Sequence, residues 1–337
     1  MNKLLLVLVA SAVLLVGCGQ ESEQKLEQKP ASATEVVTEI PSKPAGEESQ
    51  TMTFTVEQIG QALLDGKYDA VYDQTSEAFK NNVTSAQFRE AVVGFSEGVT
   101  SWKPNSQLPL NGADYNTWMD QSSKKGLIVS MDEEGIINGL QLKPLESFPE
   151  SDHDQTQHAY ELPFNGEWYV FWGGEDVLAN YHYEHASQRY AYDIVQVQDG
   201  YSYHGDSTKN ESYYAFGQEV LTPLGGKVVH VVNDLKDNEP VGVMNEEHPA
   251  GNLVVIDHGN GEYSFLAHLQ EGSVTVKVGD EVSTGDLLGL CGNSGNSSEA
   301  HLHYQVSDNK DLFEGTSLRV QWEGGLKFRQ GEAIHSK

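Results

Sequence analysis

The segment His301-Leu302-His303 holds the densest chemistry in the sequence. It follows a run of small and polar residues, Gly292-Asn293-Ser294-Gly295-Asn296-Ser297-Ser298-Glu299-Ala300, and leads into Tyr304. On an extended strand, positions i and i+2 face the same side. The two imidazoles therefore project together, while Leu302 turns the other way into packing. Such a pair suits a metal ion, or one metal ligand beside a group that transfers protons. Other residues of matching chemistry are His268, Asp193, the neighbours His182 and His185, and the pair in His204-Gly205-Asp206. The remaining candidates read as bland. Cys291, after Leu287-Leu288-Gly289-Leu290, is expected to be a buried small hydrophobe. His230 and His258 flank strands, His248 sits in an exposed loop, and His153, Asp154 and His158 fall in a polar stretch expected to be solvated.

The elements that must position these groups follow from periodicity. Residues 227–232, 252–258, 263–269, 274–278 and 287–290 are short β-rich stretches separated by Gly-Asp and Asn-Gly turns, the pattern of a compact antiparallel β domain. Upstream the pattern differs. Phe54, Ile59, Ala62 and Leu63 recur at helical spacing up to Gly66, and further helices are expected over 69–79 and 85–95. From 126 to 170 the signal turns β-like, in Leu127-Ile128-Val129, Gly135-Ile136-Ile137 and Trp168-Tyr169-Val170. Helices followed by strands predict an α+β module. The expected organisation is thus an α+β accessory domain over 52–175 and a mainly antiparallel β domain over 176–337.

Several segments, in one order, resemble the LytM/lysostaphin-type zinc metallopeptidases, over about residues 180–306. They are Gly217-Gln218-Glu219-Val220-Leu221-Thr222-Pro223-Leu224-Gly225-Gly226-Lys227, Gly251-Asn252-Leu253-Val254-Val255-Ile256-Asp257-His258-Gly259, Phe265-Leu266-Ala267-His268-Leu269, Val278-Gly279-Asp280-Glu281-Val282 and the His301-Leu302-His303 strand. The resemblance implies a barrel-sandwich-like β fold of that type, one Zn2+ ion and hydrolysis of peptide bonds in peptidoglycan stems or cross-bridges. It implies that His303 is a zinc ligand, and that His301 and His268 are the unligated pair that handles protons and the oxyanion. The family's other ligands come from a His-x-x-x-Asp element, and here the sequence departs. Asp193 fits the aspartate, but Arg189 stands four residues before it and cannot ligate zinc. His182, in an Asn-x-His like that of a variant branch of the family, is the favoured substitute, with His185 and the His204/Asp206 pair as alternatives.

The totals bound the setting. The formal charge is −29, with no basic stripe, which argues against a nucleic-acid partner. Residues 1–17 pair a short positive start with an apolar run too short to span a bilayer, and Leu15-Val16-Gly17-Cys18 resembles a bacterial lipobox. The expectation is a lipoprotein signal, lipidation at Cys18, a tether over 18–51, and an extracytoplasmic protein held at the bacterial cell membrane beside peptidoglycan. With Cys18 lipidated, Cys291 has no disulfide partner. Two rivals remain on the sequence. A non-catalytic wall-binding or regulatory module of the same fold would typically lack ligands that are present here. A biotinyl/lipoyl-like carrier would need a lysine at a hairpin tip, which is absent.

Overall fold

A computed structural model describes residues 53–336. The expected leader, Cys18 and the tether over 18–51 lie outside those residues.

Four short helices open the described chain: α1 (Val56–Leu64), α2 (Tyr68–Asp73), α3 (Glu77–Asn82) and α4 (Ser85–Phe95). Capping boxes start α1 and α4, where Thr55 pairs with Gln58 and Thr84 with Gln87. The single helix expected over 69–79 is two. Gln74 is the C-cap of α2, its side-chain amide holding Phe54 at both backbone groups, each at 2.8 Å, and Thr75 then turns extended to bridge Ile137. Ser76 then caps α3 by accepting from the Phe79 N–H. The helices lie on an antiparallel meander of β1 (Trp102–Leu110), β2 (Ala113–Asp120), β3 (Lys125–Asp132) and β4 (Ile137–Pro144). Phe79, Phe88, Leu127, Val129 and Leu140 form the shared core. This is the α+β arrangement expected.

The rest of the chain is strand and loop. Its strands are β5 (Gln155–Tyr160), β6 (Glu167–Trp172), β7 (Tyr192–Val195), β8 (Glu219–Leu221), β9 (Gly226–Val232), β10 (Asn252–Asp257) and β11 (Tyr263–Leu269). They continue with β12 (Glu281–Val282), β13 (Leu287–Leu290), β14 (Leu302–Ser307), β15 (Ser317–Trp322) and β16 (Ala333–His335). Ten of them make one sheet, ordered β12-β9-β10-β11-β14-β7-β6-β16, with β15 beside β14 and β5 beside β15. Only the β15–β5 pairing is parallel among the strand pairs described. The β8–β13 ribbon covers the large sheet, and Val220, Leu288 and Cys291 from that side meet Val254, Ile256, Leu266, Leu302 and Tyr304. The domain is mainly antiparallel and sandwich-like, as expected.

Three local expectations are corrected. Strands β5 and β6 lie before residue 176 yet pair into the large sheet, because Trp168 and Val170 are fully buried in its core. Residues 274–278 are not a strand. Thr275 makes one backbone bond to Leu288, and Val278 stands exposed before the turn at Gly279. His158 is not a solvated loop residue. It lies on β5, with Nδ1 2.8 Å from the buried carboxylate of Glu262.

The meander is docked against the large sheet. Leu108 and Leu110 pack on Phe171 and Val195. Asn111 exchanges hydrogen bonds with Ser202, and Asn105 donates to Asp176 at 2.9 Å.

Candidate metal centre and catalytic cleft

Strand register builds the centre. In the large sheet β14 lies between β11 and β7, and His303 is directly opposite Asp193 on one side and Ala267 on the other. Directly opposed residues share a face. Leu302, Tyr304, Tyr192 and Ile194 take the other face and fill the core. The sheet thus sets a histidine beside an aspartate without any loop.

His268 reaches the same face through a defect. On β11, regular alternation after Leu266 would turn residue 268 into the core. A register shift between Asn252 and Val254 inserts one extra residue in this strand, and His268 takes φ 61°. Leu269 returns to the core, and the His268 ring comes to lie 4.7 Å from that of His301. A non-glycine residue in the left-handed region carries backbone strain, a feature that concentrates at functional sites.

His182 arrives on a single 3-10 turn, Tyr181–Glu184, capped by Asn180. Its Nε2 is 3.6 Å from Asp193 Oδ2, and the His301 Nε2 is 3.6 Å from Asp193 Oδ1. The His303 Nδ1 is 2.9 Å from that same Oδ1. One ligand atom each from His182, Asp193 and His303 lies within 4.8 Å of the others. His268, His301 and these three are all buried.

The outer hydrogen bonds fix every tautomer. His268 Nδ1 faces Ser294 O at 2.8 Å, and His301 Nδ1 faces Glu299 O at 2.8 Å. A carbonyl oxygen only accepts, so both Nδ1 atoms carry the proton and both Nε2 atoms present a lone pair. His182 Nδ1 donates to Asn180 Oδ1 at 2.9 Å, since the Asn180 amide N–H groups are directed at the carbonyls of Gly174, Arg189 and Ala191. His303 Nε2 donates to Gln305 Oε1 at 3.0 Å, since Gln305 Nε2 donates to Ser187 O. The lone pairs of His182 Nε2 and His303 Nδ1 therefore converge on a carboxylate. With both imidazoles neutral, three acceptors meet with no donor between them, and His182 Nε2 has no hydrogen-bond partner at all. A cation satisfies such a cluster, and two imidazoles with one carboxylate are a donor set that fits zinc.

The charges agree with this geometry. Burial pushes the His182 imidazole down to about 3, against the pull of Asp193. Burial, with His301 and His303 adding to it, holds His268 well below the usual histidine range, and burial also lowers His301. Burial lowers His303, but Asp193 and Gln305 together outweigh it and raise the imidazole, which is the pull of Asp193 for a positive charge at this point, a proton on Nδ1 or a metal ion in its place. Burial would raise Asp193, yet His182, His301 and His303 together hold it below the usual carboxylate range. His268 and His303 form part of the wall of a cleft of about 480 Å³, with Tyr181, His185, Leu312 and Phe313.

Arg189 has a structural task. Its guanidinium stacks on Phe148 at 3.7 Å and binds Tyr183 O and Ser151 Oγ, which ties down the turn that carries His182. His185 lines the cleft outside the three-residue group, and His204 and Asp206 are exposed. Cys291 is fully buried. Sequence reasoning missed Gln305, Ser294 and Glu299 as partners of the histidines. Gln305 was legible, since it continues the i, i+2 alternation from His301 and His303. Ser294 O and Glu299 O act through the backbone, which leaves no signal in residue type.

Residues 212–314 match the family described as Peptidase family M23. That span contains His268, His301 and His303 and excludes His182 and Asp193. Among curated proteins, the chain is 38% identical over 91 residues to the peptidoglycan DD-endopeptidase ShyA of Vibrio cholerae, covering 27% of this chain and 19% of that protein. It is 29% identical over 105 residues to an uncharacterized metalloprotease of Buchnera aphidicola, covering 31% of this chain and 26% of that protein. The chain thus spans about a fifth to a quarter of the length of these two curated relatives. Among solved structures, lysostaphin from Staphylococcus simulans aligns at 18% identity with a TM-score of 0.29, over 48% of this chain and 52% of that one.

Proposed function

We propose, from the match of residues 212–314 to peptidase family M23, that this protein is a zinc endopeptidase that hydrolyses peptide bonds in peptidoglycan. The observation that carries the reading is the convergence of His182 Nε2, Asp193 and His303 Nδ1, three acceptors without a donor between them. These atoms would hold the ion. When bound, zinc supplies a Lewis acid that polarises a carbonyl and lowers the pKa of water to about 7.

The chain's own residues do the rest. Hydrolysis adds hydroxyl to the carbonyl carbon, breaks the C–N bond and leaves a proton on the departing nitrogen. His268 and His301 each offer a neutral Nε2 lone pair, because each Nδ1–H is committed to a carbonyl. Either can take the proton from the attacking water and return it to the leaving amine. Neither can donate a hydrogen bond from Nε2 until it has taken that proton. Stabilisation of the oxyanion by these imidazoles therefore follows proton uptake, and the two tasks fall to the pair in sequence. Asp193, 3.6 Å from His301 Nε2, favours a positive charge there. The cleft wall of Tyr181, Leu312 and Phe313 offers apolar contacts to a peptide.

We further propose that residues 1–17 are a lipoprotein signal and that Cys18 anchors the protein to the bacterial membrane, with the tether over 18–51 presenting it to the wall. The test of the activity is digestion of purified peptidoglycan, with mass spectrometry of the fragments. New peptide termini that a chelator abolishes are expected. Release of glycan fragments alone, or no cleavage by zinc-loaded protein, would overturn the assignment.

A further inference from the structure

A second cavity, of about 510 Å³, lies between the N-terminal meander and the large sheet. Leu108, Tyr115 and Ile128 form its wall on one side, and Trp172, Tyr203 and Tyr213 on the other. Its volume falls in the range of small-ligand sites. Glu299 is the one residue with a formal charge in its lining, and no lysine, arginine or histidine is there to balance it. Glu299 Oε1 is fully shielded and has no hydrogen-bond partner, as are Ser298 Oγ and Trp172 Nε1 in the same wall. Glu299 as a whole is half-buried and its carboxyl meets Ser202, yet an acid with one oxygen shielded and no counter-charge works against folding. An anion would be repelled there, and a neutral ligand would leave the carboxylate uncompensated. An ammonium group in the cavity supplies the opposite charge to the Glu299 carboxylate, and the tyrosine rings attract cations at their faces. The aromatic and aliphatic walls fit an apolar arm behind it.

Glu299 also reaches the catalytic centre, through its backbone. The residue lines this cavity while its backbone oxygen accepts the Nδ1–H of His301. We infer that the cavity is a second binding site, formed jointly by both domains, which takes a primary ammonium group on an apolar arm and pairs it with Glu299. Such a group occurs on amino side chains of wall peptides and on free amines. The site itself does not depend on the hydrolytic reading; only the choice between those sources does.

The test uses the full chain with Nα-acetyl-lysine methylamide and its Nε-acetylated counterpart as probes, by isothermal titration. Saturable binding of the amine is expected, with loss of about tenfold or more in affinity both on Nε-acetylation and in Glu299→Gln. Equal affinity for the two probes, an unchanged affinity in Glu299→Gln, or no saturable binding to wild type would overturn the inference. Ile128→Trp enlarges a side chain of the cavity wall on β3 and leaves Glu299 unaltered in sequence, and should abolish binding while thermal unfolding shows a folded protein. Retention of wild-type affinity in that variant would place the amine elsewhere and also overturn it. For the source, peptidoglycan hydrolysis is followed with added amine. Competitive inhibition identifies a side chain of the wall peptide, and a rate change without competition identifies a free amine.

Discussion

Replacing Glu299 with glutamine is expected to stabilise the protein, and to do so only where the carboxyl would ionise. Burial pushes the Glu299 carboxyl up to about 7 from its ordinary 4.5, with Ser202 pulling weakly the other way. The folded state therefore binds a proton that the unfolded state releases between those values. Stability is full below pH 4.5 and falls as pH rises through about 7, beyond which the loss is constant. The gap of about 2.5 units, at about 1.4 kcal/mol each, sets an upper bound near 3 kcal/mol. Glutamine has the same shape and no charge to bury, so it escapes this cost. The assay is urea unfolding of wild type and Glu299→Gln at pH 4.5 and pH 8, in amine-free buffer, followed by tryptophan fluorescence. The two proteins should be nearly equal at the lower pH and differ by up to about 3 kcal/mol at the higher one, with glutamine more stable. A variant that is less stable at pH 8, or a difference that is the same at both values, would refute the claim that an unbalanced acid lies in the cavity.

Further outcomes follow from the same contacts. Asn180→Ala removes the acceptor for His182 Nδ1–H and the amide that binds the carbonyls of Gly174, Arg189 and Ala191. Zinc affinity should fall about 10- to 100-fold, measured by competition with a chelating dye, while Asn180→Asp keeps more of it. Gly251→Ala would set a Cβ 2.3 Å from Ser294 O, which holds the His268 ring, at a position where φ is +60°. A stability loss of about 1–3 kcal/mol in urea unfolding is expected, with a lower kcat in wall digestion. Cys291 is fully buried and its thiol is pushed up by burial, so iodoacetamide should label it only after denaturation, as peptide mapping would show.

Much of the β domain was legible because its strands alternate cleanly. Leu302, Tyr304 and Val306 fill the core while His303 faces the other side, and residue types alone show it. Strands β1 and β2 were not legible. Their sequences, WKPNSQLPL and ADYNTWMD, are polar and partly exposed, and Pro104 stands beside a bulge at the sheet edge. The placement of His268 was hidden as well. A strand read with a strict period of two would turn it into the core, and only the extra residue at φ 61° turns it out. Arg189 shows the limit of reading by position. It stands where a ligand was sought, and its contacts with Phe148 and Tyr183 O are distant in sequence or made to the backbone. Spacing could name His182 as a candidate, but the approach of its Nε2 to Asp193 depends on the 3-10 turn and its Asn180 cap.

The central claim is that His182, Asp193 and His303 hold one zinc ion. Native mass spectrometry of the full chain, after zinc loading and desalting, tests it most directly. The account predicts one zinc per wild-type chain and none in folded Asp193→Ala. A metal-free wild type, or zinc retained at full stoichiometry in Asp193→Ala, would contradict it.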